Sequence, residues 1–116
     1  KALFGPYTQP SEAFLDEQWK VLNFKNGKKI AYLIGRLVFE KIRYQNRWIS
    51  AMQTTNIPLC LINGPFDPNS GKAMSDRYSE LIPNPKIYLM ADHIGHWPFL
   101  EDSREVLKAV GNFHSS

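Results

Sequence analysis

Ile57-Pro58-Leu59-Cys60-Leu61-Ile62-Asn63-Gly64-Pro65-Phe66-Asp67 opens as a short, unbroken apolar run and closes in a turn. Such a run, bounded by Gly and Pro, predicts a strand buried on both faces of a parallel sheet. Pro58 has no N–H to give to a ladder, so it fits only near the strand's start. The loop continues through Pro68, Asn69, Ser70 and Gly71. Lys72 to Leu81 then predicts a helix, with Met74, Tyr78 and Leu81 on one side. Pro83 and Pro85 end it. Lys86-Ile87-Tyr88-Leu89-Met90 predicts a second strand. Ser103 is placed to cap a last helix whose apolar face is Val106, Leu107, Val110 and Phe113, with Gly111 weakening its end. Residues 54–116 therefore read strand, helix, strand, helix, an α/β pattern with parallel strands joined by a helix. Two parallel strands do not form a stable sheet alone, because both faces and both edges need cover. The remaining strands are expected from elsewhere.

Residues 1–53 have a different texture and predict helices. Ser11 can accept a backbone N–H bond at a helix start, and Glu12, Asp16 and Glu17 suit the positive helix end. This helix should reach about Leu22, with Phe14, Leu15, Trp19 and Leu22 as its apolar side. Asn26-Gly27 marks a turn. A second helical stretch covers Lys29 to Ser50. Its apolar residues are too frequent for one stripe, which predicts packing on two sides or a bend near Gly35. Trp19, Tyr32 and Trp48 read as helix-packing residues.

Composition narrows the function classes. The chain has 116 residues, 43% apolar and 22% charged, which is ordinary for a folded domain. No apolar stretch reaches the roughly 18 residues of a spanning helix, since Gly35 and Arg36 interrupt the longest, Ile30 to Phe39. A single cysteine, Cys60, excludes an intrachain disulfide and a four-thiol metal site. Mid-strand, it reads as an inert core thiol. The net charge is +3, split as +5 over residues 1–50 and −2 over residues 51–116. The basic residues are spread along helices without a Lys/Arg block, so they read as a solvated face, and no nucleic-acid partner is expected. Lys1 stands first, with no charged and apolar signal segment after it. The expectation is an internal piece of a longer protein, and no compartment or membrane is assigned.

The chemistry lies in two loops. Strands of a parallel sheet point the same way, so the loops after both emerge at one sheet edge, where α/β proteins place their sites. Asp67 is in the first such loop and His96 in the second, 29 positions on. Neighbouring strands run roughly 5 Å apart, which lets the two side chains meet. A carboxylate beside an imidazole fixes its tautomer and stabilises the imidazolium, making the histidine a general base. His93 is a rival for His96, and Asp92 a local rival for Asp67. His93-x-x-His96 has a faint metal-ligand spacing but no third ligand, so no metal is assigned. Asp92 and Glu101 read as organisers of the histidine loop, and His114 as solvated.

At these residues the chain resembles the C-terminal half of an α/β-hydrolase. The matching pieces are Pro58 to Asp67 and Ile94-Gly95-His96-Trp97-Pro98-Phe99-Leu100-Glu101-Asp102. Tyr7-Thr8-Gln9-Pro10-Ser11-Glu12, Asn46-Arg47-Trp48, Asn63-Gly64-Pro65-Phe66-Asp67-Pro68 and Asp92-His93-Ile94-Gly95-His96 resemble more narrowly the mesoderm-specific transcript branch, close to epoxide hydrolases and haloalkane dehalogenases. The resemblance implies that residues 1–53 end a helical cap and residues 54–116 form the C-terminal part of the hydrolase core. It implies Asp67 as acid and His96 as base of a nucleophile–acid–histidine triad. The nucleophile, Ser or Asp, is expected in an N-terminal half carried by the same or a separate chain, because no Gly-x-Ser-x-Gly occurs here. This chain alone should then be inactive. A small-molecule ester, epoxide or carbon–halogen substrate follows, without cofactor. Cap tyrosines polarise the epoxide in related hydrolases; Tyr7, Tyr32 and Tyr44 are available. The alternative is a binding or scaffold protein on a hydrolase fold that has lost catalysis.

Overall fold

A computed structural model of the chain describes residues 1–115. In chain order the elements are α1 (Glu12–Asn23), a 3-10 turn (Phe24–Asn26), α2 (Lys28–Gly35), α3 (Leu37–Thr54), β1 (Cys60–Asn63), α4 (Gly71–Leu81), β2 (Lys86–Leu89), α5 (Pro98–Glu101) and α6 (Ser103–His114). They fall into two compact units. One joins Lys1–Gln9 to the stretch from Thr55 onward; the other is Pro10–Thr54. The first nine residues thus go with the sheet, whereas the sequence groups them with the helices.

In the sheet-bearing unit β1 and β2 run parallel, with Cys60 opposite Lys86 and Asn63 opposite Leu89. The strand–helix–strand order is the expected one. The first strand is shorter than its apolar run: it starts at Cys60, past Pro58, whose missing N–H breaks the ladder. Burial on both faces is not met either. Cys60, Leu61 and Ile62 are half-buried, and Ile57 is 72% exposed. A two-stranded sheet leaves each strand one uncovered edge.

The helices also bury faces other than those expected. In α4 the buried residues are Gly71 and Ser75, with Tyr78 and Leu81 half-buried and Met74 exposed. In α6 the cap is Asp102, not Ser103: its carboxylate accepts the Glu105 N–H at 3.1 Å, and its backbone is non-helical, as the capping position requires. The inward stripe of α6 is Glu105, Val106, Ala109 and Phe113, while Leu107 and Val110 face solvent. Ala109 is the most buried residue of that stripe. Phe4, Ile82, Met90, Ile94 and Ala109 form the buried apolar core. Ile94, 1% exposed, sits in the loop after β2 and anchors it from within.

Pro10–Thr54 is helical as expected. Ser11 Oγ caps α1 by accepting the Phe14 N–H at 3.2 Å. Lys25 and Asn26, at φ 46° and 63°, turn the chain out of α1. The bend expected near Gly35 is the break between α2 and α3. No residue of this unit is buried. Trp19, Tyr32 and Trp48, expected to pack, are all exposed, and the Lys28 ammonium lies over the Trp19 ring at 3.9 Å from its centre. Among the described residues no helix is long and apolar enough to cross a membrane.

Candidate active site

Both strands deliver their loops to one end of the sheet, and the loops meet there. The Phe66 N–H donates to the Ile94 carbonyl at 2.9 Å, and the Met90 N–H to the Asn63 carbonyl at 3.0 Å. Gly64 and Gly95 make this approach possible. A Cβ on Gly64 would overlap the Gly95 carbonyl oxygen, and one on Gly95 would overlap the Leu3 carbonyl oxygen.

This approach brings Asp67 and His96 together: Asp67 Oδ2 lies 2.8 Å from His96 Nδ1. The carboxylate is almost wholly buried, its side chain 3% exposed, while the imidazole is 33% exposed. The Asn69 N–H donates to Asp67 Oδ1 at 2.9 Å, closing an Asx-turn. The Ser70 hydroxyl donates to Oδ2. Burial alone would push the Asp67 carboxyl up. The bonds from Ser70, Asn69 and His96, with the attraction of His96, outweigh it and hold the group below the ordinary aspartate value of 3.8. An ionised carboxylate only accepts, so Nδ1 carries a proton and Nε2 is left to take one.

His93 is directed elsewhere: its ring meets Tyr7 edge-on at 5.5 Å. Tyr7 therefore belongs beside the histidine loop, in the sheet-bearing unit, and not with Tyr32 and Tyr44. No hydrogen bond joins Asp92 to His96 among the described residues. Nor do three or more His, Cys, Asp or Glu side chains gather as a metal site among them. His114 is exposed, with its ring against Phe113. Cys60 is a free, half-buried thiol.

The sequence reading missed Ser70 and Asn69, although an Asp with polar residues two and three positions on is a turn signal that points to both. It also missed the segment Lys1–Gln9. The His96 N–H donates to the Leu3 carbonyl at 2.7 Å, and no local pattern announces that bond.

Asp67 and Glu101 share one electrostatic property. Burial raises the Glu101 carboxyl, but the Thr8 hydroxyl and the N–H groups of Gly95, Gly5 and Trp97 hold it below its ordinary 4.5. Both groups bind protons less readily folded than unfolded. Their stabilisation is therefore complete above the unfolded values and lost as pH falls through the lower folded ones. The melting temperature should hold above pH 4.5, the ordinary value of Glu101, and fall in more acid solution. Asp67→Asn removes one of the two groups, so its acid fall should be shallower. Equal slopes in a melting series from pH 6 to 2 would contradict this.

Compared with curated proteins, the chain is 31% identical over 115 residues to mesoderm-specific transcript protein of Mus musculus, covering 98% of this chain and 34% of that protein. The Homo sapiens homologue gives the same identity and coverage. A Mycobacterium tuberculosis protein named "Putative hydrolase LipZ" is 26% identical over 108 residues, 93% of this chain and 37% of that one. The chain thus spans about one third of the length of the curated relatives it matches. No family model matches it, and no solved structure does. By this similarity the chain is a homologue of one part of the mesoderm-specific transcript proteins, which fits a relationship to the α/β-hydrolases.

Proposed function

We propose that this chain supplies the acid and the histidine, Asp67 and His96, of a nucleophile–acid–histidine hydrolase, and that Pro10–Thr54 belongs to its helical cap. The nucleophile and the rest of the sheet lie outside these 116 residues. The observation that carries the reading is the 2.8 Å contact between buried Asp67 and half-exposed His96. Two further observations support it. The two-stranded sheet has open edges. The buried Oδ1 of Asn63, at the end of β1, has no hydrogen-bond partner among the described residues, which fits a donor supplied from elsewhere.

The reaction has two steps. A Ser nucleophile attacks an ester carbonyl and expels the alcohol, leaving an acyl ester; an Asp nucleophile instead attacks carbon and leaves an alkyl ester, expelling halide or opening an epoxide whose oxygen stays on the substrate and takes a proton. His96 Nε2 then takes a proton from water and the hydroxide attacks the ester carbonyl: from a Ser ester the serine oxygen leaves with the bond pair, from an Asp ester the product alkoxide leaves the Asp carboxyl, and in both cases the departing oxygen takes the proton back from His96. Asp67 holds the imidazole in the needed tautomer and stabilises its cation throughout. With Ser as nucleophile, His96 takes the serine proton first and hands it to the departing alcohol, which frees Nε2 for the water step. Substrates are esters, epoxides or carbon–halogen compounds, and no cofactor takes part.

The test is intact-mass measurement of the complete protein after brief exposure to an ester, an epoxide and a haloalkane in turn. A mass gain on a Ser or Asp at a strand-to-helix elbow is the expected result. A Gly or Ala at that elbow, with no adduct from any of the three, would overturn the reading and favour a binding protein.

A further inference from the structure

Glu101 takes no part in the acid–histidine contact, yet its carboxylate gathers four donors from two segments. Oε2 accepts the Gly5 N–H at 2.8 Å, the Thr8 hydroxyl at 2.5 Å and the Gly95 N–H at 2.9 Å. Oε1 accepts the Trp97 N–H at 3.1 Å. Gly95 and Trp97 are the residues immediately before and after His96. The amide of His96 itself goes to the Leu3 carbonyl. Three consecutive amides are therefore fastened, two to Glu101 and one to a segment that Glu101 also holds. The carboxylate stays ionised under these bonds, and bonds to an ionised acceptor are about twice as strong as neutral ones.

We propose that Glu101 is a positioning residue for His96, gripping the backbone on either side of it and tying it to the segment Lys1–Gln9. The effect on turnover rests on the hydrolase reading; the effect on the histidine's placement does not. A base must sit within hydrogen-bond reach of both its orienting carboxylate and its substrate proton. A displacement of about 1 Å costs on the order of 100-fold in rate. With the clamp released, the Nδ1–H contact to Asp67 loses its fixed geometry although both side chains remain.

Glu101→Gln and Thr8→Val in the complete protein test this. Gln keeps the shape, but its one carbonyl oxygen cannot serve both sides of the clamp, and its amide N–H groups face donors. Thr8→Val removes a single donor. Two quantities are read: kcat with KM, and the NMR resonance of the His96 Nδ1 proton. For Glu101→Gln, kcat should fall about 10- to 100-fold with KM within about twofold, and the resonance should shift or broaden. Thr8→Val should move both the same way by less. A folded Glu101→Gln variant with the parent's kcat and resonance overturns the proposal, leaving Glu101 a purely stabilising group. If Glu101→Gln does not fold, Thr8→Val decides by the same readings. If the resonance shifts in Glu101→Gln while His96→Ala leaves turnover intact, the clamp stands and the hydrolase reading falls.

Discussion

His96→Ala in the complete protein should lower kcat/KM for hydrolysis by about 10,000-fold or more. The size follows from its double duty. In the proposed reaction Nε2 is the proton acceptor for water, and Asp67, 2.8 Å from Nδ1, holds the ring in place for it. Alanine removes the base and leaves Asp67 with only Ser70 and Asn69 as donors. Asp67→Asn is the companion change. Its carboxamide nearly matches the shape, but its NH₂ and the Nδ1–H are both donors, so one turns away and the histidine's tautomer is no longer enforced. A loss of about 1,000- to 10,000-fold is expected. The two residues act as one unit, so the double variant should be about as slow as His96→Ala alone. Near-parental turnover by His96→Ala would remove the catalytic assignment. Additive losses in the double variant would mean that the 2.8 Å contact is not used in the reaction.

A large effect on stability is expected at Gly64. A methyl group there would stand 2.7 Å from the Ile94 carbonyl oxygen and would overlap that of Gly95. Both obstacles are backbone, so no side chain can rotate out of the way. The acid and histidine loops would have to part, stretching the 2.9 Å bond from the Phe66 N–H to the Ile94 carbonyl. Gly64→Ala should cost about 3 kcal/mol, lowering the melting temperature by roughly 10–20 °C for a unit of this size. Gly111→Ala is the matched control. Its added Cβ meets nothing within 4 Å and lies inside α6, where alanine is favoured over glycine by about 0.5–1 kcal/mol. Calorimetry of both variants measures the contrast. A Gly64→Ala variant that melts with the parent would show that the loops are not in backbone contact.

The sequence predicts well wherever the signal is local. The apolar run ending at Ile62, the break at Pro83 and the run from Lys86 define β1, α4 and β2, and parallel pairing follows from the helix between them. That pairing is enough to bring Asp67 to His96. Limits appear where packing decides. Leu107 looks like a core residue by spacing, but it is exposed and Ala109 is the buried residue of α6. Trp19, Tyr32 and Trp48 look buried by type and are not, since type states what a side chain tends to do and not what is present to cover it. Glu101 reads correctly as an organiser of the histidine loop. Its hold on Gly5 and Thr8 is illegible, because those partners are 96 and 93 positions away.

That distance bears on the time course of folding. The Asp67–His96 contact closes a span of 29 residues, and the Gly5–Glu101 bond one of 96. For a flexible chain the longer closure costs about 1 kcal/mol more. Contacts of short span form earlier, so β1, α4 and β2 should assemble first and Lys1–Gln9 should dock last, fixing the amides beside His96 at the end of the process. Once docked, the unit has its two pieces joined through an excursion, Pro10–Thr54. Doubling the length of such an excursion adds only about 0.6 kcal/mol of closure entropy. Its length and content are therefore nearly free variables, open to insertion or exchange while the acid and the histidine keep their places.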